Sequence, residues 1–189
     1  MTFQFKIQIR GIKKPPVWRR IVVPDNITFL KFHYIIIAAF GWSGGHLFSF
    51  SERGLGSDLE IGYIDKINPE AGISDASKIL IKKIFKNAGQ KFIYTYDFGD
   101  DWNHIITLEK VTTDKITKTE CIGGKGQCPP EDCGGVWGFE ELLEVIKDAD
   151  NPQYEEMREW LGLEEGEIWD PNDFDLESTN DMVENIKVV

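Results

Sequence analysis

The chain has 189 residues, 41% of them apolar and 12% aromatic, which is enough to bury the core of one domain of ordinary size. No run of about 18 apolar residues occurs, so no membrane span is expected, and MTFQFKIQIR at the start has neither the apolar stretch nor the cleavage site of a secretory leader. The net charge of −11 argues against a general nucleic-acid binder, and three cysteines, an odd number, argue against a disulfide scaffold and for a reduced, cytoplasmic protein.

In chain order, Phe3, Phe5, Ile7 and Ile9 alternate with Gln4, Lys6, Gln8 and Arg10, which predicts a strand over 3–12 with one wet face. Lys13-Lys14-Pro15-Pro16 makes a turn, and a second strand runs over 17–23 to Pro24. Asp25 to Thr28 offers capping chemistry for a helix over 28–40. Its inward face carries Phe29, Phe32, His33, Ile36 and Phe40, with His33 expected as a satisfied core histidine, and Gly41 ends it. Strands are expected over 46–51 and 59–64, and a short helix within 74–87 that stops at Gly89. A hairpin follows, with strands over 91–97 and 102–111. Residues 114–138 read as loop, rich in Gly, Pro and Cys. Helices are expected over 139–149, from 151–152 to Trp160, and after Ser178 as a cap. Strands first and helices last indicate an α+β fold: one domain over 1–189, an antiparallel sheet packed against helices, with 139–189 as its helical, acidic C-terminal part.

Charge is unevenly placed. Residues 1–50 carry seven Lys/Arg and one acid, a balance of +6, whereas residues 131–189 carry three Lys/Arg and nineteen acids, a balance of −16. Lys6, Arg10, Lys13, Lys14, Arg19 and Arg20 are read as the solvated faces of the first strands, partly neutralised by the acidic tail.

The densest chemistry lies in KFIYTYDFGDDWNHIITLE, residues 91–109. Asp97, Asp100, Asp101, Trp102 and His104 crowd the bend of the hairpin, with Gly99 free to take a positive φ. A second carboxylate pair, Glu131 and Asp132, sits between Pro-Pro and Gly-Gly in PPEDCGG. If this loop meets the hairpin tip, all seven residues form one polar pocket. His46, Asp97, His104 and Asp132 are then the candidate ligands for a divalent metal, zinc or manganese, although no cofactor is called for by the sequence itself. The alternative is a capped polar turn in which the carboxylates only bond backbone amides, and His104 is a structural residue whose strand neighbours Trp102 and Ile106 are core residues on the same face. Cys121, Cys128 and Cys133 lack the paired knuckles of a structural zinc site and are read as incidental thiols. GGKG at 123–126 is no phosphate loop, and DFG at 97–99 has no kinase motif beside it.

Taken together, WRRIVVP (18–24), HYIIIAAFGW (33–42), HLFSF (46–50), YTYDFGDDWNHIITLE (94–109), PPEDCGGVWGF (129–139) and WDPNDFD (169–175) resemble the Ri-plasmid ORF-three-like family, also called insertion-element passenger proteins. The resemblance spans about residues 3–185 and implies an α+β domain found near plasmid and transposon genes. It implies no reaction. Three readings of function stand open: a binding or adaptor module associated with mobile elements, with a protein partner rather than nucleic acid or membrane; a metal-dependent hydrolase using the Asp/His/Glu cluster; and a nucleic-acid-binding accessory protein.

Overall fold

A computed structural model describes residues 1–63 and 72–186. It shows an α+β fold: an eight-stranded, mostly antiparallel sheet with five helices among the described residues. In chain order the elements are β1 (Thr2–Ile9), β2 (Trp18–Pro24), α1 (Phe29–Phe40), β3 (Phe48–Ser51), β4 (Glu60–Gly62), β5 (Ile73–Asp75), α2 (Ile81–Ile84), β6 (Lys91–Tyr96), β7 (Trp102–Thr112), β8 (Glu120–Lys125), α3 (Gly135–Ile146), α4 (Tyr154–Trp160) and α5 (Leu176–Glu184). The sheet order is β5-β4-β3-β6-β7-β1-β2-β8, and among the described residues only β4 and β5 pair in parallel.

The alternation in β1 turns Phe3, Phe5, Ile7 and Ile9 into the core, where they meet Leu108, Ile106 and His104 of β7 across the ladder. α1 lies on that face. Thr28 caps it by accepting from the Lys31 amide, and Gly41, at φ 84°, closes it with its own N–H on the carbonyls of Ile37 and Ala38. Phe29 and Phe32 of α1 interlock with Phe5, Phe50, Phe85 and Phe92, with ring centroids 4.8 to 6.3 Å apart across the cluster. His33 is buried on the same side, stacked on Phe48 and bonded at 2.8 Å to the Tyr94 hydroxyl, as a satisfied core histidine should be.

Several elements differ from the sequence reading. Residues 114–138 are not all loop: β8 pairs with β2, and α3 begins at Gly135. Cys121, Gly123 and Gly124 hide β8 from any propensity argument, because two of its six residues carry no side chain. The segment is held from outside instead. Asn180 of α5 accepts from the Cys121 amide at 2.7 Å, and the Phe174 ring lies against Gly124, where a methyl group would collide with it. α5 therefore covers the sheet edge that β8 would otherwise expose. Its cap is Asp175, which accepts from the Ser178 amide, so Ser178 is the capped residue and not the cap. The strand expected over 59–64 ends at Gly62, and Ile64 lies outside the described residues.

Arg19 is the clearest exception to the charge reading. It points inward from β2 and is 4% exposed, while Arg20 beside it points outward and pairs with Glu109 at 2.7 Å. Glu109 is the extra residue where the β1–β7 register shifts between Gln4 and Phe5, which frees it to accept from both Arg20 and Gln4. The Arg19 guanidinium donates to the carbonyls of Ala39, Trp18, Lys125 and Gly126, joining the end of α1 to the β2–β8 ladder. The Ala39 carbonyl belongs to the last turn of α1, the negative end of its dipole, so this cation is balanced by peptide oxygens. Among the described residues no helix is long and apolar enough to cross a membrane.

Candidate functional site

The hairpin bend is built by its aspartates. Asp97 and Asp101 hold φ of 54° and 53°, and Gly99 is not among the positive-φ residues. The reason lies in the Asp97 carboxylate, which accepts from the amides of Gly99 at 2.9 Å and Asp100 at 3.4 Å, while its carbonyl accepts from the Asp101 amide at 2.7 Å. A short polar side chain bonded to its own turn stabilises the left-handed conformation that is otherwise costly outside glycine.

The 129–135 loop docks on this bend at three points. The Tyr96 hydroxyl donates to Glu131 at 2.5 Å, the Gly134 amide donates to Asp100 at 3.2 Å, and the Trp42 indole donates to the Pro129 carbonyl at 2.9 Å. Gly135, at φ 67°, brings its backbone so near the Asp100 carbonyl that a methyl group there would overlap it. Burial works to raise the Glu131 carboxyl, but hydrogen bonds from Ser43 and Tyr96 outweigh it and hold the group below the usual carboxylate range. The same contact acts oppositely on its donor: burial first, and Glu131 second, push the Tyr96 phenol far above its usual range.

This docking carries Asp132 to the α1–β3 loop, where His46 stands between two carboxylates. His46 Nδ1 lies 3.5 Å from Asp97 Oδ2, and His46 Nε2 lies 3.6 Å from Asp132 Oδ1. One ligand atom from each of His46, Asp97 and Asp132 falls within 4.8 Å of the others, the one such group of three among the described residues. Asp97 is buried, His46 half-buried and Asp132 exposed. Asp132, like Asp97, holds a positive φ, of 59°.

The structure thus brings Asp97, Asp100, Glu131 and Asp132 together with His46, and leaves Asp101 exposed at the outer side of the bend. Trp102 and His104 do not join them. Both face the core from β7, with Trp102 opposite Tyr96 and His104 opposite Tyr94. His104 is fully buried, edge-on to Phe40 and Trp42, and its Nδ1 faces the carbonyls of Trp102 at 3.0 Å and Tyr94 at 3.3 Å. Two acceptors require Nδ1 to carry the proton, so Nε2 is the bare nitrogen. Among the described residues neither it nor the Trp102 indole N–H has a partner. The period-two pattern already places His104 with Ile106 on the apolar face, and that signal outweighs its nearness in sequence to the aspartates. Sequence reasoning missed Ser43, Tyr96 and Trp42 as the groups that hold the loop. A tyrosine at the last core position of a strand, one residue before the bend, is the usable clue, because its hydroxyl reaches past the apolar layer.

The thiols are withdrawn from chemistry. Burial pushes Cys133 up to about 12 and Cys128 higher still, and all three cysteines are unpaired.

A family model described as Plasmid pRiA4b ORF-3-like protein matches residues 1–178. The chain is similar to the uncharacterized protein y4hQ of Sinorhizobium fredii, with 37% identity over 153 residues that span 79% of this chain and 75% of that protein. It is also similar to the crystal structure of MM3350, a protein of unknown function from Methanosarcina mazei Go1, at a TM-score of 0.77 and 36% identity, over 93% of this chain and 96% of that one.

Two outcomes follow from the geometry. Gly135→Ala should lower the melting temperature well beyond Gly162→Ala, since both have positive φ but only Gly135 abuts another backbone. The open position should cost about 1 kcal/mol and Gly135 clearly more; equal shifts would mean that the loop does not dock as described. The second outcome concerns pH. Burial holds His33 at about 3 and His104 at about 4, against about 6.5 for an unfolded histidine. The unfolded chain then binds more protons below about 6.5, so stability is full above that pH and falls as pH drops toward 4. For His104 the loss is on the order of 3 kcal/mol once both states are protonated. Urea unfolding between pH 7 and 5 should show the decline, and His104→Gln should remove about half of it, His33 supplying the rest; an unchanged slope would contradict the assignment.

Proposed function

We propose that this chain, which belongs to the plasmid pRiA4b ORF-3-like family as its motifs suggested, is a binding module that takes one divalent cation through His46, Asp97 and Asp132. The convergence of three ligand atoms from three separate segments carries the reading. One imidazole nitrogen and two carboxylate oxygens form a borderline-to-hard donor set suited to zinc or manganese. Two ligands of one such ion stand about 3.0–3.5 Å apart, given bonds of about 2.1 Å, and His46 Nδ1 and Asp97 Oδ2, 3.5 Å apart, already match that spacing. At present each ring nitrogen faces a different carboxylate. Binding through one nitrogen therefore asks Asp132, the exposed member, to swing toward Asp97. Three protein ligands leave positions open for an oxygen-bearing group of a partner.

Binding is favoured over catalysis by what surrounds the cluster. Glu131, the other carboxylate on the loop, is held low and already accepts a hydrogen bond from the Tyr96 hydroxyl, which makes it a weak base. The other two histidines are buried and uncharged, and desolvation keeps the thiols of Cys128 and Cys133 protonated. A metal-assisted hydrolase is the second reading, favoured by the open positions alone. An adaptor role in a mobile-element setting belongs to the same proposal and rests on the family's plasmid name. The nucleic-acid reading loses two members of its basic set, because Arg19 is buried and Arg20 is paired with Glu109.

Calorimetric titration of chelator-treated, tag-free protein tests this. One equivalent of zinc or manganese should bind and raise the melting temperature. Asp132→Asn should weaken binding about tenfold or more with the metal-free melt unchanged, because that side chain is exposed. Absence of stoichiometric binding, or binding untouched by Asp132→Asn, would remove the proposal. Turnover of an activated phosphodiester by the loaded protein, lost in the same variant, would promote the hydrolase reading.

A further inference from the structure

A cavity of about 750 Å³ is lined by the 127–131 segment, the end of α1, α5 with the residues before it, and the 160–175 stretch. Its volume lies within the range of small-ligand sites. Trp42, Trp160, Trp169 and Phe174 supply aromatic surface, and Glu131, Asp173 and Asp175 supply carboxylates. Arg19 is the one cation among the described lining residues.

The Arg19 charge is already engaged. Four carbonyls accept from it, and its guanidinium lies 4.4 Å from the Phe174 centroid and 5.2 Å from that of Phe40. Its position in the wall shows the chemistry this cavity favours: a cation flanked by aromatic faces. With three carboxylates against this one screened cation, the lining carries a balance of −2. Much of the lining comes from the acidic C-terminal part of the chain, whose residues 131–186 carry nineteen acids against two Lys/Arg, so the surrounding charge has the same sign. An anion would meet carboxylates on the rim, whereas an organic cation would meet ring faces and carboxylates together. Trp160 is 49% exposed and therefore available to an incoming group.

We infer that this cavity is a recognition pocket for an organic cation, an ammonium or guanidinium group held between Trp160, Trp169 and the carboxylates of Glu131 and Asp173. The pocket does not rest on the metal reading, and each survives the failure of the other. The same chemistry can come from a small free amine or from a lysine or arginine side chain of a partner protein.

The test is a titration of full-length, 15N-labelled protein followed through its tryptophan indole signals, assigned by single Trp→Phe variants. The probes are choline, its uncharged isostere 3,3-dimethylbutan-1-ol, a lysine-containing pentapeptide and inorganic phosphate. Choline or the peptide should shift the Trp160 and Trp169 signals, with the neutral isostere about tenfold weaker or worse. Trp160→Ala should weaken binding by a similar factor while the melt stays near that of the parent, and Asp173→Asn should weaken the charged probes and leave the isostere unaffected. Tighter binding of choline points to a free amine and tighter binding of the peptide to a protein side chain, and either order supports the pocket. Equal affinity for the isostere, shifts from phosphate in place of the cations, or no shift from any probe would overturn it.

Discussion

The contact between the Gly135 backbone and the Asp100 carbonyl is the constraint on which the site depends. Two chain segments more than thirty residues apart approach there as closely as main chain allows, and only a residue without Cβ fits. The approach places the Gly134 amide on the Asp100 carboxylate and Glu131 on the Tyr96 hydroxyl. Asp132 follows, and its distance to His46 is a consequence of that docking. The hairpin side is equally fixed, because the Asp97 carboxylate bonds the amides of its own bend while its second oxygen faces His46. Backbone in the left-handed region at Asp97, Asp101 and Asp132 is thus tied to a set of named hydrogen bonds and to one close packing contact.

Behind the bend, the sheet end is made rigid by rings. Trp42 stacks on Tyr96 at 5.0 Å and meets Trp102 and His104, while its indole N–H holds the Pro129 carbonyl. One tryptophan therefore connects the end of α1, the hairpin and the docked loop. Arg19 does the same work a few residues away, joining the last turn of α1 to β2 and β8. The 127–131 segment links the two sites, with Glu131 bonded to Tyr96 of the hairpin and also lining the aromatic cavity.

Much of this was legible in the residues alone. The alternation of Phe3 to Ile9, the Thr28 and Gly41 ends of α1, and the Tyr94–Trp102 hairpin are local signals, and the fold repeats them. What escaped is what depends on distant partners. β8 has no strand pattern and exists because Asn180 and Phe174 hold it from outside. Arg19 reads as a surface charge until four carbonyls from three segments surround it. Gly99 looked like the left-handed residue of the bend, but a carboxylate able to bond two amides made Asp97 take that role. His104 had two readings, pocket member and core residue beside Trp102 and Ile106, and the fold takes the second. Its neighbours in sequence are acids, but the pleat turns it into the core, away from the cluster.

In the proposed arrangement the docked loop completes a single metal site with His46. Crystals grown from protein loaded with zinc or manganese, measured above and below the absorption edge of the metal, test it most directly. One strong anomalous peak per chain is expected, bonded to a His46 nitrogen and to oxygens of Asp97 and Asp132, with the Asp132 side chain turned toward Asp97. A peak held by other residues, or a map without one while His46 still bridges the two carboxylates, would contradict it.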